Sequence, residues 1–459
     1  MSDLTPKMVE TMLKGNEKPE ARSETAKHLI NNYYFATFRD TEEIYHYHNG
    51  YYNNGGDRYV REYVRGLWGD ACTSNDINEI IKAHLMPLTY IERNEFNQDI
   101  NHTCLQNGIL NLQTGELQEH SPEHKFTFQL PVDYNPDATC PQINEFLQQV
   151  TETPEDIDTL LELIAYCMHR DYPTAKSFIL LGSGRNGKTV FINMLKSFIG
   201  EDNVRGLSMH QLEHDTYALG FLFGKHANLN PDIGHRKVYT SGSIKKLTGN
   251  DLIDANVKHR PFFKYRNYAK LIFACNELPR ADDTTFAWME RWIFLKFPHI
   301  FNNEECPRCG VTHTIDRKLT DKLTTPEELS GLLNRVIEKY KQLEGNNWEF
   351  TLSENAKLIE KEYASLSDIV KQFVDECLIV DKTLSTLKGE VYDSFREFCG
   401  DAGEDKRDIP KSNVFTQRLK QHVLSVRESR DGKKRKWSGI GLLEVKDNDD
   451  GGVIYPQRW

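Results

Sequence analysis

The period of the apolar positions changes along this chain, and each change marks a different kind of element. In "EEIYHYHNGYY", residues 42–52, apolar and polar positions alternate around an Asn-Gly pair, which predicts a β-hairpin. "CLQNGILNLQTGELQEH", residues 104–120, adds Asn-Gly and Thr-Gly turn signals between short strands. "YNPDATCP", residues 134–141, has two prolines and no apolar period, and so predicts a boundary. From about 142 to 172 the spacing turns helical. Strands and helices then alternate from 176 to 300. "SFILL", "HANL" and "AKLIFACN" read as buried strands, the pattern of an α/β nucleotide-binding core. Residues 327–343 and 354–380 have the spacing of amphipathic helices, and a last α+β module occupies about 383–459.

Composition narrows the choice. A 459-residue chain has room for two to four domains, and 38% apolar residues is an ordinary globular content. A net charge of −11 excludes a generally basic nucleic-acid coat, so any polyanion contact must come from local patches. The nine cysteines are odd in number and mostly scattered, which suggests reduced thiols rather than a disulfide framework. The start "MSDLTPKMVE" has no apolar core of a signal peptide, and runs such as "LIFAC" are too short to cross a bilayer. The expectation is a cytoplasmic protein with no membrane partner.

The clearest chemistry lies in "GSGRNGKT", residues 182–189, which fits G-x-x-x-x-G-K-[ST]. An apolar strand precedes it, and a helix with Val190, Phe191, Met194, Leu195 and Phe198 on one face follows. Gly182, Ser183, Gly184, Arg185, Asn186 and Gly187 would turn backbone N–H groups toward phosphates, with the helix N-terminus adding positive potential. Lys188 would reach the β/γ-phosphates and the Thr189 hydroxyl would hold Mg²⁺, so ATP and Mg are the expected cofactors. In "FGKHANLNPDIG", Asp232 follows a short strand, where an acid can bind Mg²⁺ or polarise water; a plain surface acid reads the same way. Asn276, at the tip of "AKLIFACN", can orient water beside a γ-phosphate, or simply start a turn.

Together these segments resemble superfamily 3 helicases, in the phage/plasmid primase–helicase and poxvirus-type primase–helicase group. The resemblance rests on "GSGRNGKT", "KHANLNPDI", "IKKLTGNDLIDANVKHRPFFKYRNYAKLIFACNELP" and "DDTTFAWMERWIFLKFPHIF", and covers most of residues 85–445. It implies a P-loop NTPase core of the AAA+-like kind at 146–345. Around that core it implies a mixed α+β domain at 1–145, a helical linker at 346–382 and a winged-helix-like domain at 383–459. It further implies an ATP-dependent, ring-forming (most simply hexameric) DNA helicase moving 3′→5′ on single-stranded and forked DNA, serving replication with a separate primase or polymerase. Lys258, His259 and Arg260 match a DNA-binding hairpin, and Arg291 in "MERW" matches an arginine finger acting on a neighbour's γ-phosphate. Lys258 also reads as a solvated basic turn, and Arg291 as an ion-paired residue at a strand edge. Relatives often have two adjacent acids in motif B; here Pro231 precedes Asp232, which leaves the water-activating acid open. Residues 1–145 show no catalytic acid cluster, so helicase without primase activity is expected. The rival readings are an ATP-regulated, non-unwinding initiator that binds an origin or a partner, and a small-molecule kinase.

Two features stand outside the core motifs. Cys306, Cys309 and His313 have C-x₂-C-x₃-H spacing, which suits zinc, with His299 as a fourth ligand or with the site left incomplete, or a metal-free turn. From Asp405 to Trp437 there are eleven Lys/Arg against four Asp/Glu, the strongest basic patch in the chain. Arg427, Arg430, Lys433, Lys434, Arg435 and Lys436 surround an Asp-Gly hairpin turn there, positioned for phosphate contact with Trp437 as a base-stacking candidate. A solubilising hairpin or a protein-docking wing has the same composition.

Overall fold

A five-stranded, all-parallel sheet organises the larger part of the structure. Its strands are β8 (Ser177–Leu181), β9 (Val204–Arg205), β10 (Ala227–Asn230), β13 (Lys270–Cys275) and β14 (Trp292–Lys296), in the order β14-β8-β13-β10-β9. β8, β13 and β14 are almost wholly buried, which is why they read as unbroken apolar runs. The computed structural model describes residues 4–231, 242–258, 261–278, 286–304, 314–401, 409–432, 434–443, 446–447 and 453–454. Asp232, His259, Arg260, Cys306, Cys309, His313 and Lys433 lie outside the described residues.

The chain divides into two compact units, residues 1–279 with 290–357, and residues 280–289 with 358–459. The first is an α/β NTPase-like core extended at its N-terminal side. There β1 (Phe35–Phe38), β2 (Ile44–His48), β3 (Tyr51–Asn54) and β4 (Tyr90–Ile91) form a sheet in the order β3-β2-β1-β4. The β2–β3 pair is the hairpin expected around Asn49-Gly50, both of which take positive φ. β5 (His102–Leu105), β6 (Gly108–Asn111) and β7 (Leu117–Gln118) follow as a second antiparallel sheet. Leu105, Ile109 and Leu110 join the same buried cluster as Phe178, Leu195 and Leu332 of the core.

The helical stretch from 142 to 172 is two helices, Pro141–Val150 and Pro154–Met168. The break is local chemistry. Thr153 accepts from the Asp156 N–H while the Asp156 carboxylate accepts from the Thr153 N–H, and Pro154 fits only a first turn.

At the N-terminal edge of the large sheet lies a buried layer of cations and imidazoles. Lys270 donates to the carbonyl oxygens of His169, Asp171 and Tyr268 at 2.9, 2.6 and 2.9 Å, between the rings of Tyr166 and Tyr172. Arg170 lies over Phe126 and Phe128 and donates to the carbonyls of Asn97, Asp99 and His102. Burial, with the neighbouring Lys270 and Arg170 charges adding to it, pulls His169 and His226 down to about 3. Below pH 6.5 the unfolded chain takes up protons at these imidazoles and the folded chain does not, so stability rises with pH across that range. Their contribution is present above pH 6.5 and falls as the pH drops toward 3. Between pH 6.5 and 4.5 each histidine should destabilise the fold by on the order of 1 kcal/mol per pH unit. A urea midpoint that stays constant from pH 7 to 4.5 would contradict this.

The second unit runs helix Ile369–Cys377, β15 (Leu378–Leu387), helix Lys388–Asp401, helix Ser412–His422, β16 (Arg427–Asp431) and β17 (Lys434–Leu442). Its sheet is antiparallel in the order β15-β17-β16. Phe373, Phe395, Phe415 and Leu419 form its core, and Trp437 is part of it at 1% exposure. Trp437 therefore does not serve as a stacking platform: the side chain alternates inward on β17, with Lys388 Nζ 4.1 Å from its ring centre.

Candidate functional site

The loop 182–187 leaves the C-terminal end of β8 and enters helix Lys188–Ile199. Gly184, Arg185 and Gly187 take positive φ of 106°, 53° and 88°, the curvature that gathers backbone N–H groups into an anion-binding concavity. Two glycines are sterically required. A Cβ at Gly187 would lie 2.7 Å from Val150 Cγ1, and one at Gly182 would lie 2.8 Å from the Phe297 carbonyl oxygen. Asn186 is buried and donates to the His299 carbonyl at 3.0 Å, which ties the loop to the chain after β14. Ser183 and Thr189 are exposed on the open side of the loop. This donor set fits a nucleotide triphosphate with its Mg²⁺.

Lys188 is buried and curls over the loop. Its Nζ donates to the Gly182 carbonyl and, at 3.3 Å, to Asn276 Oδ1. The sheet order explains the second bond, because β13 lies directly beside β8 and ends at Cys275. Asn276 is thus delivered to the phosphate loop from a strand far away in sequence. β10, which leads to Pro231 and Asp232, is the next strand out.

Arg291 sits at the other end. β14 runs parallel to β8 with Trp292 opposite Ser177 and Lys296 opposite Leu181. Arg291 therefore lies at the N-terminal edge of the sheet and the phosphate loop at the C-terminal edge. The five residues of β8 separate them by about 16 Å. Arg291 Nε donates to Thr248 Oγ1 at 3.0 Å, at the end of helix Gly242–Thr248.

Beside the phosphate loop is a cavity of about 570 Å³, bordered by Arg185, Gly187 and Val190. Phe146, Phe301, Ile315 and Leu319 give it apolar walls, and Gln142, Gln149 and Asp316 give it polar groups. Apolar walls with a few hydrogen-bonding groups, adjoining the glycine loop, suit a nucleobase. None of these residues stands out in the sequence. Phe146 has plain helical spacing, and nothing local shows that Phe301 folds back to donate its N–H to the Arg185 carbonyl at 2.9 Å.

Lys258 is exposed in the turn of the hairpin made by β11 (Leu252–Ala255) and β12 (Phe263–Arg266). The neighbouring Phe262 is 73% exposed, an aromatic to which the charge pattern of "VKHR" gives no clue. In the second unit, Arg430, Lys434 and Arg435 are exposed on the β16–β17 hairpin. Arg430 pairs in register with Arg435, a like-charged cross-strand pair that weakens the bare hairpin and favours a polyanion across it. Lys436 is half-buried and paired with Asp431 at 2.7 Å, so it offers less to an outside phosphate.

Among the described residues, Asp99, His102 and His124 have the composition of a metal centre. Both Nδ1 atoms lie 2.8 Å from Asp99 Oδ2. Asn111 decides the protonation of His102. Its Oδ1 accepts the Gln113 and Thr114 N–H groups, so its Nδ2 must donate to His102 Nε2. His102 therefore carries its proton on Nδ1 and gives it to Asp99, which fits a hydrogen-bonded clamp and not a metal ligand. Among the described residues, no helix is long and apolar enough to cross a membrane.

Known proteins share this architecture in part. Residues 45–152 match the family model "D5 N terminal like", and residues 180–291 match a family of unknown function, DUF5906. Over 324 residues the chain is 22% identical to "Putative helicase L207/L206" of Acanthamoeba polyphaga mimivirus. The match covers 64% of this chain and 32% of the mimivirus protein, so the chain spans about a third of that relative's length. The A form apo structure of the NrS-1 C-terminal region superposes with a TM-score of 0.53 at 11% identity, covering 92% of this chain and 99% of that one. A second apo structure of the same region gives the same values. The likeness to these structures is one of fold.

Proposed function

We propose that the chain is an ATP-driven DNA helicase of the superfamily 3 kind, acting in the replication of a phage, a plasmid or a viral element. The observation that carries this reading is the pairing of Lys188 with Asn276 across adjacent strands, beside a glycine-required loop. That is the arrangement of a phosphate-sensing lysine and a water-orienting amide. The likeness of residues 45–152 to the D5 N-terminal model, and the mimivirus relative named as a helicase, support the choice of helicase among NTPases.

In this reading ATP sits at a contact between subunits of a hexameric ring. Residues 182–187 cradle its phosphates, Thr189 and Asp232 hold Mg²⁺, and Asn276 orients water. Arg291 of the next subunit completes the site. The hairpin bearing Lys258, His259 and Arg260 grips one strand by its phosphates and moves it 3′→5′. The second unit is a winged helix that contacts DNA through Arg430, Lys433, Lys434, Arg435 and Lys436. Zinc at Cys306, Cys309 and His313 is a separate proposal, resting on their spacing alone.

A forked-DNA strand-displacement assay, run beside ATPase with and without single-stranded DNA, tests the reading. Wild type should unwind and be stimulated by the single strand. Lys258→Ala should keep its DNA-free ATPase and lose most unwinding. The exposed like-charged hairpin would also suit an initiator that binds duplex DNA and uses ATP for assembly. Tight duplex binding without strand displacement would favour that second reading.

A further inference from the structure

Lys258 borders a broadly open cavity of about 1170 Å³. It exceeds the roughly 300–1,000 Å³ of small-molecule clefts, a size suited to a segment of polymer. Its lining includes Tyr51, Tyr52 and Asn53 of the N-terminal hairpin together with Arg205, Phe221, Lys225 and Lys258.

The charges in this groove are unevenly satisfied. Glu43 is paired with Arg93 at 3.4 Å, and Glu201 is engaged by Lys196 outside the groove. Asp202 is the remaining acid, against Arg205, Lys225 and Lys258. Lys225 donates to the Asp202 backbone carbonyl and not to a carboxylate. Burial first, and the adjacent Arg205 guanidinium second, push Lys225 down to about 8. Two cations held side by side, the exposed Arg205 with no ion pair among the described residues, are stabilised by an anion placed between them. Phe221 is 45% exposed, and Tyr51 is half-buried in the same lining. Aromatic faces beside these cations match unstacked bases on a phosphate backbone.

We infer that this groove is a binding track for single-stranded nucleic acid, in which Arg205 and Lys225 hold phosphates, Phe221 and Tyr51 stack bases, and the path continues to the Lys258 hairpin. The inference rests on the helicase reading for its ligand and adds a second binding surface, formed with the N-terminal hairpin. None of its four residues belongs to the nucleotide site.

Fluorescence anisotropy with a labelled oligo-dT, at several salt concentrations and without nucleotide, tests it. The double variant Arg205→Glu/Lys225→Glu should bind about tenfold or more weakly. The slope of log K against log salt should flatten by about 1.4, or about 0.7 for each phosphate no longer neutralised. Phe221→Ala should weaken binding at least threefold with an unchanged slope, and it and Lys225→Gln decide the matter if the charge reversal does not fold. DNA-free ATPase should be unchanged in every folded variant. Wild-type binding that none of these variants alters would overturn the track and leave the helicase reading intact. A wild type with no affinity for the strand would sink the helicase reading, and the track with it. Poly-glutamate binding that Arg205→Glu/Lys225→Glu weakens, with oligo-dT binding unchanged in the same variant, would instead assign the groove to an acidic protein segment.

Discussion

Lys188→Ala should lower ATP hydrolysis by about 10²–10³-fold, the cost of removing one well-placed donor to developing charge in a water-poor site. The side chain is buried and donates to Gly182 and Asn276, both part of the proposed nucleotide site. The substitution removes a cation without opening the sheet, since the loop is shaped by Gly182, Gly187 and the Asn186–His299 bond. The melting temperature should move by only a few degrees, in line with about 1 kcal/mol for the missing hydrogen bonds. A coupled phosphate-release assay, beside a melting curve, checks both halves. Wild-type turnover in a folded Lys188→Ala protein would remove the phosphate-loop assignment.

Arg291→Ala should be as severe, about 10³-fold or more, if the guanidinium stabilises the transferring phosphoryl group. Its position makes the test sharper than a simple loss. Within one subunit Arg291 lies across the length of β8 from the loop it would serve. An inactive Lys188→Ala subunit still offers a good Arg291, and an inactive Arg291→Ala subunit still offers a good phosphate loop. Equal mixing of the two should therefore restore about a quarter of wild-type ATPase, the fraction of random subunit interfaces that pair both intact halves. Should the mixture stay as inactive as its components, the arginine does not act across subunits. The bond to Thr248 would then be its role.

How much of this was legible in the sequence depends on distance along the chain. The phosphate loop, the strands "SFILL" and "LIFAC" and the Asn49-Gly50 hairpin are local patterns, and each lies where its period and turn residues put it. The basic hairpin was legible too, through its Asp-Gly turn, with Gly432 at positive φ. What the pattern could not supply was which side chains meet. Trp437 looks like an exposed aromatic in a basic run, yet strand alternation turns it into the core. The apolar pocket beside the loop combines residues 142–149 with Phe301 and residues 314–322, and the cationic groove combines the N-terminal hairpin with residues 205 and 225. Both depend on long-range packing that leaves no mark on local spacing. Lys270 falls within a strand read as buried, yet no local pattern shows that three carbonyls and two aromatic rings enclose its charge.

The placement of Lys188 and Arg291 at opposite edges of one parallel sheet constrains the symmetry of any active assembly. A two-fold dimer can pair loop with arginine only where one contact patch holds both edges, and it then forms two sites and stops at two subunits. A head-to-tail contact also joins unlike edges, and such a contact repeats until it closes on itself or runs on as a helix. Activity built this way is a property of closure: specific activity per subunit should climb steeply with concentration and then plateau once rings form. In a closed ring of that kind both edges would also be internal to the assembly, so an incomplete ring would expose one unused loop and one unused arginine at its ends.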